Sequence, residues 1–328
     1  MMRYTTIGSG ERARQVSVIC LGAMKFGSQV GDAESFAILD RFVERGGTFI
    51  DTANNYQFWV EGFTGDESET LLGRWRAARG ITDEVLIATK FGARPRTPGG
   101  GLADAEGLSA KAVRAAVAGS QQRLGMDRLD LVYPHREDRS VPLEETLGVL
   151  AELVEEGQVG LVGASNHRAW RLERARRLSD DQGWPRYEVA QLRYSYLQPR
   201  FDIPLPEAGH MHATVDHLDY VAQENRDGRP LALVTYTPLL YGAYVRADRT
   251  LSYPYEHPGT AARLKVLREV AAECDATPNQ VVLAWLMGGD PAIIPLVGVS
   301  SVAQLDEALD AVDVELTAEQ RSRLDHAG

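Results

Sequence analysis

A chain of 328 residues with a formal net charge of −11 and a pI near 5.2 lacks the basic surface that phosphate neutralisation demands, which argues against a nucleic acid or an anionic membrane as partner. Hydrophobic residues make up 44% and charged residues 25%, an ordinary globular balance that argues against a disordered chain. The length suits one large α/β domain, and residues 1–328 are expected to form a single one.

The opening residues, Met1-Met2-Arg3-Tyr4-Thr5, carry no apolar run of the signal-peptide kind. Nowhere does an apolar run approach the ~20 residues that span a bilayer, so a cytoplasmic location is expected. Cys20 and Cys274 stand far apart and outside any C-x-x-C pair. Both read as reduced, buried, small apolar residues.

In chain order, residues 3–18 are rich in Thr, Gly and polar residues and read as a β-hairpin. Strand-like runs follow at 18–21, 48–50, 85–89, 129–133, 159–163, 188–192, 231–236 and 293–297. Several are continuously apolar, as parallel strands covered on both faces are. Helical stretches lie between them, at 33–45, 67–79, from Ser109 to Gly125, from Pro142, and at 168–181, 215–226, 261–274 and 301–312. Ser109 is placed as an N-cap and Gly125 as a stop. The helix after Pro142 carries Leu143, Leu147, Leu150 and Val154 on one face and a run of glutamates on the other, which reads as a solvated face. Eight strand–helix units predict an α/β fold, a (β/α)8 TIM barrel with an N-terminal β-hairpin. A doubly wound open sheet is the alternative, but Gly22-Ala23-Met24-Lys25-Phe26-Gly27 after the first strand does not supply its glycine fingerprint.

In such a barrel chemistry sits at the C-terminal strand ends. Asp51 ends the second strand, Tyr56 follows in the next loop, Lys90 ends the third and His135 follows the fourth. The set contains no metal-site pattern and no nucleophilic Ser or Cys with a base. It can protonate an oxygen. An adjacent ammonium is expected to lower the affinity of Tyr56 for its proton, a carboxylate to keep Lys90 charged, and a neutral His135 to orient a carbonyl. The loop 197–212 is unusually long and expected to be functional. Its His210 and His212, with His217 beyond it, read as solvated residues and not as metal ligands.

Asp51-Thr52-Ala53-x-x-Tyr56, Lys90, Asp130-x4-His135 followed by Pro142-Leu143-Glu144-Glu145-Thr146-Leu147, and Val162-Gly163-Ala164-Ser165-Asn166 together resemble the aldo-keto reductase superfamily from about Tyr4 to Val312. The resemblance implies a nicotinamide cofactor and a small carbonyl substrate, with Tyr56 as general acid, Lys90 and Asp51 tuning it and His135 orienting the carbonyl. It implies carboxamide contacts from Ser165, Asn166 and Gln191, ring stacking on Tyr236, and a pyrophosphate over Thr237, Pro238 and Leu239. Gly22, Met24 and Asp51 also fall at cofactor positions. Gly298, Ser300, Gln304 and Glu307 resemble the adenosine-phosphate segment, whose helix start suits an anion. Ser300 and Ala308 depart from the common Lys/Arg and Asn there, so NADPH is the first choice and NADH stays open. By position Phe58, Trp59, Phe91, Arg136 and Tyr241 are substrate candidates. Two other functions remain at this stage, a cofactor-binding regulatory subunit and a lyase using Lys90 as a Schiff base.

Overall fold

The structure is a computed structural model and describes residues 1–97 and 99–328. Tyr4–Ile7 (β1) and Arg14–Ser17 (β2) pair antiparallel as the expected hairpin. Eight strands follow: Cys20–Gly22 (β3), Phe49–Asp51 (β4), Leu86–Phe91 (β5), Leu129–Pro134 (β6), Val159–Ser165 (β7), Val189–Arg193 (β8), Ala232–Tyr236 (β9) and Ile293–Gly298 (β10). All pair in parallel and close in the order β10-β3-β4-β5-β6-β7-β8-β9. The helices between them are Asp32–Glu44 (α1), Glu67–Arg79 (α2), Ala110–Leu124 (α3), Leu143–Glu155 (α4), Ala169–Gln182 (α5), Val215–Arg226 (α6) and Pro258–Glu273 (α7). Pro278–Met287 (α8) precedes β10, and Val302–Asp310 (α9) and Ala318–Asp325 (α10) follow it. This is the (β/α)8 TIM barrel with its N-terminal hairpin.

The predicted caps act as read. Ser109 Oγ accepts from the Ala112 N–H, and Gly125 leaves α3 at φ 62°, a left-handed turn that a side chain would strain. Two helices lie outside the sequence reading. In α8, Val281, Val282, Leu283, Ala284, Leu286 and Met287 are all buried, so no polar face exists to reveal a helical period. Its signal, and that of α10, is the capping box: Thr277 with Gln280, and Thr317 with Gln320.

Two apolar layers hold the fold. The inner one fills the barrel with Cys20, Phe49, Leu86, Ala88, Leu131, Tyr133, Leu161, Val189, Val234, Ile294 and Leu296, and Ile7 and Val16 of the hairpin join it from the N-terminal end. The outer layer packs strands against helices through residues such as Ile50, Ile87, Phe91, Val132 and Leu192. Adjacent strand residues thus point to opposite layers. Cys20 belongs to the inner layer, while Cys274 is half-buried. Among the described residues no helix is long and apolar enough to cross a membrane.

Helices α2 and α3 meet at Gly73, where a Cβ would overlap the carbonyl oxygen of Arg123. Gly73→Val should lower the free energy of unfolding by about 1–3 kcal/mol, read as a lower urea midpoint at unchanged m-value.

Candidate active site

The two-residue strand period fixes which side chains meet inside the barrel. With Phe49, Leu86 and Ala88, Leu161, Val189 and Val234 facing inward, the same face carries Asp51 on β4, Lys90 on β5, Ser165 on β7, Gln191 on β8 and Tyr236 on β9. Asp51, Lys90, Ser165 and Tyr236 lie at or next to the C-terminal ends of their strands, and Gln191 lies in the middle of β8.

Asp51 and Lys90 are fully buried and form an ion pair through Asp51 Oδ1. Lys90 Nζ also donates to the Thr52 carbonyl at 2.8 Å and to the Tyr56 hydroxyl oxygen at 2.7 Å. Asp51 Oδ2 accepts from Gln191 Nε2 at 2.8 Å. The Tyr56 hydroxyl donates its own hydrogen to Asp51 Oδ1 across 3.3 Å, a long contact. Burial pulls Lys90 below the ordinary lysine value, with Asp51 opposing it. The Tyr56 phenol moves opposite to the sequence reading. Burial first, then the Asp51 carboxylate, push it well above the ordinary tyrosine value, because a phenolate here would be poorly solvated and face a carboxylate.

The His135 N–H of the backbone donates to the Phe91 carbonyl at 2.7 Å. Its ring lies edge-on to Tyr56, centroids 6.0 Å apart at 80°. Burial first, then the Lys90 charge, hold the imidazole well below its ordinary value, so it is neutral at pH 7. Nδ1 is buried and without a partner among the described residues. A neutral imidazole beside a protonated phenol can hydrogen-bond an oxygen and hand it a proton.

Asn166 follows β7 at φ 55°. Its Nδ2 donates to the His135 carbonyl at 3.0 Å and to Ser165 Oγ at 3.1 Å. Its Oδ1 accepts from the Tyr236 hydroxyl at 2.7 Å and the Met211 N–H at 2.9 Å. Each of its amide's two donors and two acceptor sites is used within the chain. Asn166 therefore ties His135, Ser165 and Tyr236 into one unit.

Gly22 pairs with both Asp51 and Gly298 in the strand register, and the Met24 carbonyl accepts from Gln57 Nε2 at 3.3 Å. Thr237 takes φ 57°, Pro238 accepts from Ser195 Oγ at 2.5 Å, and Leu239 packs on the core. Ser301 Oγ accepts from the Gln304 N–H, and the Gln304 side chain accepts from the Ser300 N–H, one residue before the cap. Glu307 accepts from Thr277 Oγ1 at 2.8 Å and braces the start of α8.

Of the substrate candidates, Trp59 and Tyr241 are exposed, and Phe58 lies edge-on to Trp59 at 5.1 Å. Arg136 donates to the Leu102 carbonyl at 3.3 Å. Phe91 does not reach the rim. Lys90 turns inward, so its neighbour turns outward, and Phe91 is buried in the outer layer. His210 is exposed as expected, but His212 and His217 are buried. His212 Nδ1 bonds to the Ala213 carbonyl, and His217 caps α6 and reaches the His167 carbonyl at 3.0 Å. Among the described residues no group of His, Cys, Asp and Glu is arranged to hold a metal. Arg193 escaped the sequence reading, although it stands two residues after Gln191 and so shares its inward face.

The model of the Aldo/keto reductase family matches residues 18–328. The norsolorinic acid reductase stcV of Emericella nidulans is 32% identical over 98% of this chain and 80% of its own length. The aldo-keto reductase str7 of Strobilurus tenacellus is 31% identical, covering 90% of this chain and 81% of its own. The uncharacterized oxidoreductase YrpG of Bacillus subtilis is 29% identical over 97% of this chain and 93% of its own.

Lys90→Met leaves Asp51 buried without its cation and should cost about 3–5 kcal/mol of stability. Adding Asp51→Asn should recover most of that loss in equilibrium unfolding, and a double variant no more stable than the single one would contradict the pairing.

Proposed function

The chain belongs to the Aldo/keto reductase family, and on that premise we propose that it reduces an aldehyde or ketone to an alcohol with NADPH. The observation that carries this reading is the Tyr56 hydroxyl, held between Lys90 and Asp51 and faced by the neutral His135 ring. When bound, the nicotinamide supplies the hydride. His135 donates a hydrogen bond to the carbonyl oxygen and orients it. Tyr56 gives that oxygen its proton as negative charge develops there. The raised proton affinity of Tyr56 suits this order of events: a phenol held so tightly protonated yields only to a stronger base, and an alkoxide is one. Lys90, whose own affinity burial lowers, stands 2.7 Å away to steady the phenolate and return a proton.

The residues fit the group they are proposed to hold. A hydroxyl and two amides, Ser165, Asn166 and Gln191, sit at the end of β7 and within β8, and match the donors and acceptors of a carboxamide. Asn166 serves mainly by positioning, since its amide is already satisfied. Tyr236 supplies the ring face, Thr237 to Leu239 the pyrophosphate loop, and Gly298, Ser300 and Gln304 the adenosine end. Glu307, occupied at α8, takes an indirect part. Phe58, Trp59 and Tyr241 favour a carbonyl carried on a flat ring, and two relatives are named norsolorinic acid reductases.

One observation favours NADH as a second reading. Glu34 Oε1 accepts from the Val302 N–H at 3.3 Å, which puts a carboxylate at the start of α9 where a 2′-phosphate would meet like charge. Competitive binding of the two cofactors to the purified protein decides between them. Tighter NADPH binding that Glu34→Gln strengthens further supports the first reading, and equal or tighter NADH binding establishes the second.

Tyr56→Phe should lower the turnover of benzaldehyde by about 10²–10⁴-fold while cofactor binding, followed by fluorescence, stays intact. Near-normal turnover in this variant sinks the assignment.

A further inference from the structure

Arg193 ends β8 beside Tyr236, its register partner on β9. Its side chain is 2% exposed. The guanidinium of a buried arginine ordinarily has its donors satisfied. Here Nε and Nη1 have no aligned acceptor among the described residues. The carboxylate of Glu207 reaches in from the loop 197–212, with Oε2 2.6 Å from Nη1, yet Oε2 is itself without an aligned hydrogen. Charge is thus matched at this spot, while the hydrogen-bond geometry between Arg193 and Glu207 is poor.

The loop that carries Glu207 is anchored where a cofactor ring is proposed to lie. Met211 donates to Asn166 Oδ1, and His210 lies edge-on to Tyr236 at 5.1 Å. Glu207 is 29% exposed at its side chain, and its other oxygen only accepts from the Tyr241 hydroxyl across 3.4 Å. A partly solvated carboxylate on a loop is a replaceable partner, and a buried guanidinium on a strand end is a fixed one.

We propose that Arg193 is the core of an anion-binding site at the mouth of the barrel, and that Glu207 occupies it as an internal stand-in until a phosphate or carboxylate oxygen of a ligand displaces it. The planar fork of Arg193 then gains the two aligned acceptors that Glu207 does not give it. The same displacement frees the loop segment resting on Asn166 and Tyr236. Anion binding and opening of the mouth are one event, and the internal carboxylate lowers apparent affinity by the fraction of time it holds the site. The site stands on the ion pair and not on the proposed reaction.

Two ligands tested on three proteins decide the matter: wild type, Glu207→Gln and Arg193→Met. Inorganic pyrophosphate is titrated while the thermal midpoint is followed. In parallel, KM is measured for 4-carboxybenzaldehyde and for benzaldehyde at saturating NADPH. If a phosphate is the occupant, Glu207→Gln stabilises at about tenfold lower pyrophosphate, Arg193→Met loses the effect, and the ratio of the two aldehyde KM values does not change. If a substrate carboxylate is the occupant, that ratio shifts about tenfold towards the carboxylate in Glu207→Gln and reverses in Arg193→Met. If neither ligand distinguishes Glu207→Gln from wild type, the site is overturned, even where Arg193→Met fails to fold. Benzaldehyde turnover in the wild type reports separately on the reductase reading.

Discussion

A buried ammonium facing a buried carboxylate sets the conditions for the rest of this strand-end cluster. Either charge alone in the barrel would carry a desolvation cost of several kcal/mol. Lys90 and Asp51 persist because every hydrogen-bonding group they own is used. The ammonium has three protons, and they go to Asp51, the Thr52 carbonyl and Tyr56. The second carboxylate oxygen is met by Gln191. The place of Tyr56 is therefore dictated from below, by the last unsatisfied proton of Lys90. The turn 52–55 returns the chain so that the phenol can take it.

The second level of support is the amide of Asn166. Four hydrogen bonds from one side chain join the backbone of His135, the hydroxyl of Ser165, the phenol of Tyr236 and the loop at Met211. Its left-handed backbone lets a strand end turn this sharply, and asparagine tolerates that conformation better than most residues. The two centres differ in kind. Lys90 with Asp51 holds charge, and Asn166 holds shape. His135 lies between them, kept neutral by burial and by the nearby ammonium, with its backbone fastened to both sides through Phe91 and Asn166.

The barrel was readable because both of its periods are plain in the sequence. Continuous apolar runs marked strands covered on two faces, and capped amphipathic stretches marked most helices. The strand-end set of Asp51, Lys90 and His135 followed from the barrel alone. Three things were not readable in that way. Helix α8 is apolar on nearly every side, so only its cap betrays it. Phe91 was misplaced by counting position along the chain when the alternation with Lys90 already sent it outward. The direction of the Tyr56 shift depends on how enclosed the hydroxyl is relative to the nearness of two opposite charges, which no spacing of residues encodes. The burial of His212 and His217 likewise reflects how the loop 197–212 and α6 fold onto the barrel, a long-range outcome.

The N-terminal hairpin does more than decorate the fold. Ile7 and Val16 extend the column of Phe49, Leu86, Leu131, Leu161 and Val189 from beneath, so the inner apolar core runs unbroken from the barrel into the hairpin. A change at Ile7 or Val16 would therefore be felt in the barrel interior through side-chain packing, without passing along the backbone.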